Sequence, residues 1–488
     1  MRSLAEGLLV LTLLQGTSAT LTVAVRLDGS GRAATLLTLL WLVAYALSAF
    51  LLLRHEGMRR VAWLVRFRLP LLILCGGVLA SCLWSIDSRL SAERAVHFIG
   101  STLIGLALGS TLSLTRTLQI SRTVLGALMV ACALASWQWP AMGIEDYVGR
   151  PVWRGLMTSK NTLGFWAAVT ALLMILQTLR PASLPERTGW ALLSLVSLLC
   201  LWQSVSATSV LALLIALLVI GYVWTSARLD LGALASTSLA LLGATFAAMA
   251  MRSIDTNELI GRSGDLTGRG ALWEQTWQLI AQRPWGGFGY GTIWQPTEQS
   301  RWIQQSLLDL NWIAYHAHNG LLQVASSVGL PLTLLTIAFA LQQLIEIVHS
   351  HYRTRLPDAL FVLGFCVALL VSNYSEARLL VNRELYWIWF LALPLALLRQ
   401  GPAARWSAAP VTSVWRRSFG VPGRRLTPTT DLAMRRRRES RQARNALKNR
   451  LVADLPPRAA RTDARRAPTD RPSNPPEPNP LDPTGPRP

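Results

Sequence analysis

Apolar runs long enough to cross a bilayer recur along this chain, and they limit it more than any other feature. A hydrocarbon core about 30 Å thick asks for about 20 apolar residues in helical form. Such runs lie at roughly 4–25, 33–53, 69–86, 97–114, 123–141, 161–179, 188–205, 208–226, 231–251, 319–347, 358–374 and 384–399. A backbone in lipid must satisfy its own hydrogen bonds, so the twelve runs predict an all-α, polytopic membrane protein with about 12 transmembrane helices. Composition agrees: 51% of residues are hydrophobic and 15% charged, against about a quarter charged in soluble domains. The boundary between runs 188–205 and 208–226 rests on the polar stretch Gln203-Ser204-Val205-Ser206-Ala207-Thr208-Ser209. The run 4–25 is long enough to span and shows no small-residue cleavage site, so it reads as a span rather than a leader. The five cysteines sit in or beside apolar runs without Cys-x-x-Cys spacing, which points to packing rather than redox or metal chemistry.

Residues 1–400 form the expected membrane domain, and 401–488 a tail. The tail holds 15 of the 25 prolines and 19 Arg or Lys against 7 Asp or Glu. That composition cannot bury a core and is expected to be disordered. Its basic block at 435–450 suits anionic lipid on the cytoplasmic face, and without a folded module or an aromatic platform it is not read as nucleic-acid binding. With an even number of spans and the basic tail inside, the segments 87–96, 142–160, 252–318 and 374–384 fall on the outer face.

Those outer segments carry the unusual polar residues. In 252–318, Asp265 or Thr267 is a plausible N-cap for a helix over about 269–282, with Leu272, Trp273, Thr276, Trp277 and Ile280 on one face. The two tryptophans suit a helix lying in the membrane interface. Arg269 in its first turn, beside free backbone N–H groups, is an anion seat or a partner of Asp265. Arg283-Pro284 ends that helix, and Gly286, Gly287, Gly289 and Gly291 make a tight turn; no strand precedes it, so it is no nucleotide fingerprint. His316 and His318 follow, with Asn319 opening the next run, and histidine can act as base or donor. No cysteine or carboxylate cluster in the sequence completes a metal site beside them, so no metal is expected. Arg154, Lys160 (one of two lysines in the chain) and Asn161 stand at the entrance to another span. Cations at the outer edge run against the usual charge bias, and an anionic ligand accounts for them. Glu376 serves the acceptor or pairs with Arg378.

Taken in order, these residues resemble the O-antigen ligase superfamily of membrane glycosyltransferases. The likeness rests on Trp84-Ser85-Ile86-Asp87 with Ser91-Ala92-Glu93-Arg94-Ala95, and on Arg154-Gly155-Leu156-Met157 with Lys160-Asn161-Thr162-Leu163-Gly164. It rests further on Gly268-Arg269 with Trp273 and the run Arg283 to Gly291, and on His318-Asn319-Gly320-Leu321-Leu322-Gln323 with Gly329-Leu330. It covers about 70–398. The resemblance implies a glycan donor on undecaprenyl diphosphate, used on the periplasmic side of the bacterial inner membrane, and transfer to a hydroxyl without cofactor or required metal. It implies that Arg269 binds the diphosphate and that His318 sits beside the reacting hydroxyl. Arg154, Lys160, Asn161, Arg283, Asn319 and Glu376 are the expected substrate-binding residues. Partners would be the lipid-linked glycan, an acceptor glycan or lipid A core, membrane lipids, and other polysaccharide assembly and export proteins. At 206–209 the sequence reads Ser-Ala-Thr-Ser, where ligases of this family often carry Ser-Arg. That departure resembles the exopolysaccharide polymerase branch, with Lys160 or Arg154 supplying the missing charge. Attachment of glycan to lipid A core or protein is the alternative, and a small-anion transporter the more distant one.

Overall fold

A computed structural model describes residues 2–27, 32–54, 69–147, 149–232, 237–238, 269–295, 297–298, 300–302 and 315–399. The helices are α1 (Arg2–Gly16), α2 (Ala19–Leu27), α3 (Arg32–Arg54), α4 (Leu69–Ala80), α5 (Ser88–Thr111), α6 (Leu114–Gln138) and α7 (Lys160–Thr178). They continue with α8 (Leu184–Gln203), α9 (Ala207–Arg228), α10 (Arg269–Gln282), α11 (Gly320–Thr354), α12 (Pro357–Ser372) and α13 (Leu385–Leu398). Between α6 and α7 lies a hairpin of β1 (Ile144–Tyr147) and β2 (Arg150–Trp153), antiparallel, with Tyr147 opposite Arg150. Eleven of the twelve expected runs hold a helix. The twelfth, 231–251, lies largely outside the described residues, as do 252–268, 303–314 and the tail.

Among the described residues, six helices, α3, α6, α7, α8, α9 and α11, are long and apolar enough to cross a membrane, and α12 and α13 are shorter apolar helices. The run 4–25 is two helices rather than one: Ser18 takes φ +64° between α1 and α2. There α1 comes close to α13, and a Cβ at Gly16 would stand 2.9 Å from the Leu385 nitrogen. The polar starts follow the local sequence. Asp87 caps α5 through Leu90 N–H, Ser113 caps α6 through Arg116 N–H, and Ser159 caps α7 through Thr162 N–H. Each occupies an otherwise orphaned helix-terminal donor.

The helix α13 is buried from Leu385 to Leu397, as an element apolar on every face must be. It lies against α5, where Gly105 and Gly109 admit the Ile388 and Ala392 carbonyls; a Cβ on either would come within 2.9 and 2.7 Å of them. Small residues matter here because lipid tails are as apolar as leucine and give helices no hydrophobic reason to associate. Phe165 and Trp166 of α7 meet Tyr386 and Trp389 of α13 ring to ring. Leu36, Val43, Leu53, Leu218 and Leu334 face outward, a surface suited to hydrocarbon rather than water.

One long helix is broken on purpose. In α11, Gly329 has φ 84° and ψ 167°, and Pro331 follows. A proline lacks the N–H that would serve the carbonyl four residues back. The glycine-rich turn fills the gap: Phe288 N–H donates to Ser326 O at 2.9 Å and Gly289 N–H to Ser327 O at 3.0 Å. In return Leu330 N–H donates to Pro284 O at 2.7 Å. The break in α11 is therefore the seat of the 283–291 turn.

Candidate active site

Three connecting segments meet above the ends of α5, α7, α11 and α13. They are the 315–319 approach to α11, the 373–384 connection between α12 and α13, and the 283–295 turn. Asn319 caps α11, accepting from Leu321 and Leu322 N–H at 3.0 and 3.1 Å. Gly320 N–H donates to Asn373 O, and the Asn373 side chain accepts from Arg378 and Leu379 N–H. A Cβ at Gly320 would overlap the Asn373 side chain, so this approach is open to glycine alone. Ala317 is buried between the Trp273 indole, which donates to its carbonyl at 3.0 Å, and Gln323, which accepts from its N–H at 2.9 Å. The α10 helix thus holds the histidine segment in place through Trp273, while Trp277 is exposed.

Glu376 is the hub. Its Oε1 accepts from Asn161 Nδ2 at 2.7 Å, and its carboxylate stands 3.6 Å from His318 Nδ1 and 3.8 Å from His316 Nε2. The two imidazoles lie 3.9 Å apart. His318 adopts φ +46°, and its N–H donates to His316 Nδ1 at 3.1 Å. An accepting Nδ1 leaves the proton of a neutral imidazole on Nε2, the nitrogen that faces Glu376. Burial works to push the Glu376 carboxyl up. The facing His318 and the charges of His316 and Arg378 overcome it and hold the group well below the usual carboxylate range. The site therefore contains an ionised carboxylate with two imidazoles leaning on it. The ligand atoms of His316, His318 and Glu376 lie within 4.8 Å of one another, so these three residues are also the place where a metal ion would be held.

The cluster opens on a cavity of about 470 Å³ lined by His316, Glu376, Arg378, Arg94, Tyr290 and Tyr386 among others. Arg378 is buried, donates to Asn161 O at 3.2 Å and lies over the Phe165 and Tyr386 rings at 4.5 and 4.6 Å. Tyr290 donates to Leu380 O at 2.6 Å, tying the glycine-rich turn to the 373–384 connection. Burial pushes its hydroxyl well above the usual phenol range. That connection is held from below by Arg383, whose N–H donates to Ser101 Oγ at 2.9 Å and whose guanidinium meets His97. Leu380 and Arg383 both take positive φ, strain of about 1–3 kcal/mol each that surrounding contacts must overcome.

The structure brings His318, Asn161 and Glu376 together, with Asn319 as the cap beside them. The cations are arranged differently. Lys160 is buried, donates to Val205 O at 3.4 Å and lies over the Tyr147 ring at 3.9 Å. Arg154 donates to Met142 O at 3.1 Å, and Arg283 to Trp84 O at 3.4 Å while lying over Phe288 at 4.9 Å. None of these three lines the cavity. Arg269 is the first residue of α10; its side chain, and the expected caps Asp265 and Thr267, lie outside the described residues. Sequence reasoning did not single out Arg94, Tyr290 or Arg378 as site residues. Each stood beside a residue it had picked, but spacing along the chain does not report which side chains turn into one cavity.

A family profile described as O-antigen ligase matches residues 190–337, from α8 into α11. That stretch carries His316 and His318, whereas Arg94, Asn161 and Glu376 lie outside it. The exopolysaccharide production protein ExoQ of Rhizobium meliloti (strain 1021) is 25% identical over 358 residues, covering 69% of this chain and 79% of that protein.

Proposed function

We propose that this chain, which is similar to O-antigen ligase over residues 190–337 and to ExoQ over 69% of its length, is a member of the O-antigen ligase superfamily that polymerises surface or exopolysaccharide repeat units. The donor is a glycan on undecaprenyl diphosphate, and the reaction runs on the periplasmic face of the inner membrane. The observation that carries the reading is Glu376 with His316 on the wall of a cavity that also holds arginine, and His318 3.6 Å from the same carboxylate. The acceptor hydroxyl oxygen attacks the anomeric carbon of the donor, and the bond from that carbon to the diphosphate oxygen breaks. The hydroxyl proton passes to His318, which Glu376 orients and whose imidazolium it stabilises. His316, the imidazole that lines the cavity, positions the acceptor. The diphosphate leaves with its charge spread over its oxygens, and fixed guanidinium groups stabilise that charge as it develops. Arg269 contacts the diphosphate. Lys160, Arg154 and Arg283 shape the rim through the carbonyls they hold. The chemistry needs no metal, because the leaving group is already an anion and the arginines meet it. Polymerisation, rather than ligation to lipid A core, is favoured by the similarity to the exopolysaccharide production protein ExoQ and by the missing arginine at 206–209.

The test is a gene deletion restored with wild type, Arg269→Ala or His318→Ala, with surface glycan analysed for length and attachment. Loss of long chains with single repeat units remaining supports polymerisation. Long lipid-linked polymer left unattached supports ligation instead, and unchanged glycan in the deletion rejects both. Transfer by purified enzyme that stops with EDTA and returns with a divalent cation would overturn the metal-free mechanism.

A further inference from the structure

Among the described residues, two arginines line the cavity, and they differ in what already holds them. Arg378 lies over two adjoining rings and donates to a carbonyl. Arg94, half-buried in the second turn of α5, makes no hydrogen bond or ion pair with any described residue; its electrostatic neighbours are Tyr290, Glu93 and Arg383. Its stem is nonetheless fixed. Gly291 has φ +73°, and a Cβ there would stand 2.6 Å from Arg94 Cδ. The absence of that Cβ lets the arginine lie along the glycine-rich turn. The turn is fixed in its place by the break in α11 and by Tyr290, which donates to Leu380 O at 2.6 Å.

A half-buried guanidinium without an acceptor is costly to maintain, and outward cations at a membrane edge call for an anion. Of the two carboxylates that line the cavity, Glu376 is already engaged by Asn161 and the two imidazoles, and Glu384 accepts from Ser18 at 3.2 Å. The cavity thus presents a carboxylate with an imidazole, Glu376 with His316, and a guanidinium beside Tyr290, Arg94, that no described acceptor holds. That pairing matches what glycosyl transfer needs: a base for the acceptor's hydroxyl proton and a cation for the diphosphate that leaves the donor's anomeric carbon.

We propose that Arg94 is a donor-binding residue that receives the diphosphate of the lipid-linked glycan in the cavity that Glu376 also lines. The assignment rests on the glycan-transfer reading above. The planar guanidinium offers two parallel N–H donors to phosphate oxygens, which a lysine cannot reproduce.

The experiment uses the full-length protein in lipid nanodiscs, titrated with undecaprenyl diphosphate, with undecaprenyl monophosphate and with phosphatidylglycerol as probes. Arg94→Gln, Arg94→Lys and, as a control on the same helix, exposed Arg89→Gln are compared with wild type. Thermal unfolding followed by tryptophan fluorescence admits only folded variants to the comparison. Wild type is expected to prefer the diphosphate, and Arg94→Gln to weaken it about ten-fold or more, as loss of a charge-assisted hydrogen bond does. Arg94→Lys is expected to fall between, and Arg89→Gln to match wild type. If folded Arg94→Gln and Arg94→Lys bind the diphosphate as wild type does, the assignment of Arg94 is overturned while the glycan-transfer reading stands. If wild type itself shows no preference for the diphosphate over phosphatidylglycerol, the donor reading falls and Arg94 with it.

Discussion

Replacing Gly329 by alanine tests whether the break in α11 builds the cavity wall. At φ 84° and ψ 167° the backbone sits in a region open almost solely to glycine, where another residue costs about 1–3 kcal/mol. The added Cβ would stand 2.2 Å from the Trp285 carbonyl oxygen, 2.5 Å from its carbon and 2.8 Å from Gly286 N. Those are backbone atoms with no rotamer to change. Restoring ordinary contact demands a retreat of about 1 Å, which breaks the 2.7 Å bond from Leu330 N–H to Pro284 O. It also loosens the bonds of Phe288 and Gly289 to Ser326 and Ser327. One buried bond lost and two weakened, added to the strain, give about 3–6 kcal/mol. The turn carries Tyr290 and Gly291 into the cavity, so glycan output should fall with stability. The assay pairs tryptophan-monitored thermal unfolding in detergent with glycan length in the complemented deletion. Gly76→Ala in α4, where a Cβ meets nothing within 4 Å, is the control and should be neutral or slightly stabilising. A Gly329→Ala protein that melts and polymerises like Gly76→Ala would refute the reasoning.

Glu376→Gln keeps the shape of the hub and removes its charge. Because the folded carboxyl is held below its ordinary 4.5, its stabilisation is fully present above that pH and is lost only as pH falls well below it. The melting difference between wild type and Glu376→Gln should therefore hold steady down to pH 4.5 and shrink only at more acid pH; a difference already gone at pH 5 would contradict the pairing. Asp358 of α12 sits with Arg180 and, at 4.0 Å, Arg122, and accepts from Thr115 at 3.2 Å. Asp358→Ala leaves two partly buried arginines facing each other and should cost about 3–5 kcal/mol, read as a lowered melting temperature; Asp358→Glu should recover part of it. Lys160→Met removes the cation over Tyr147 and should cost about 0.5–2 kcal/mol of stability, with Lys160→Arg closer to wild type. Wild-type melting in Lys160→Met would show that the contact contributes nothing.

The helices and most of their ends could be read from residues alone, because the signals are local. Apolar length sets a span, and Asp87, Ser113, Ser159 and Asn319 each serve amides two or three residues ahead. The histidine segment, the glycine-rich turn and Glu376 also stood out, as polar residues with no business at the end of an apolar run. What local signals did not carry was company. Asn161 and Glu376 are far apart in the chain, and so are Arg94 and Gly291. Helices surrounded by lipid find their neighbours through glycine contacts and scattered polar bonds that leave no periodic trace. For the same reason Lys160, Arg154 and Arg283 looked alike in the sequence as outward cations, and only the tertiary structure separated them, giving each a carbonyl to hold. The sequence by itself determined a helical membrane protein with its unusual polar residues in the connections between apolar runs. The tertiary structure decided which connections share a cavity, because a break at Gly329 and close approaches at Gly320 and Gly291 are properties of the facing segment as much as of the glycine.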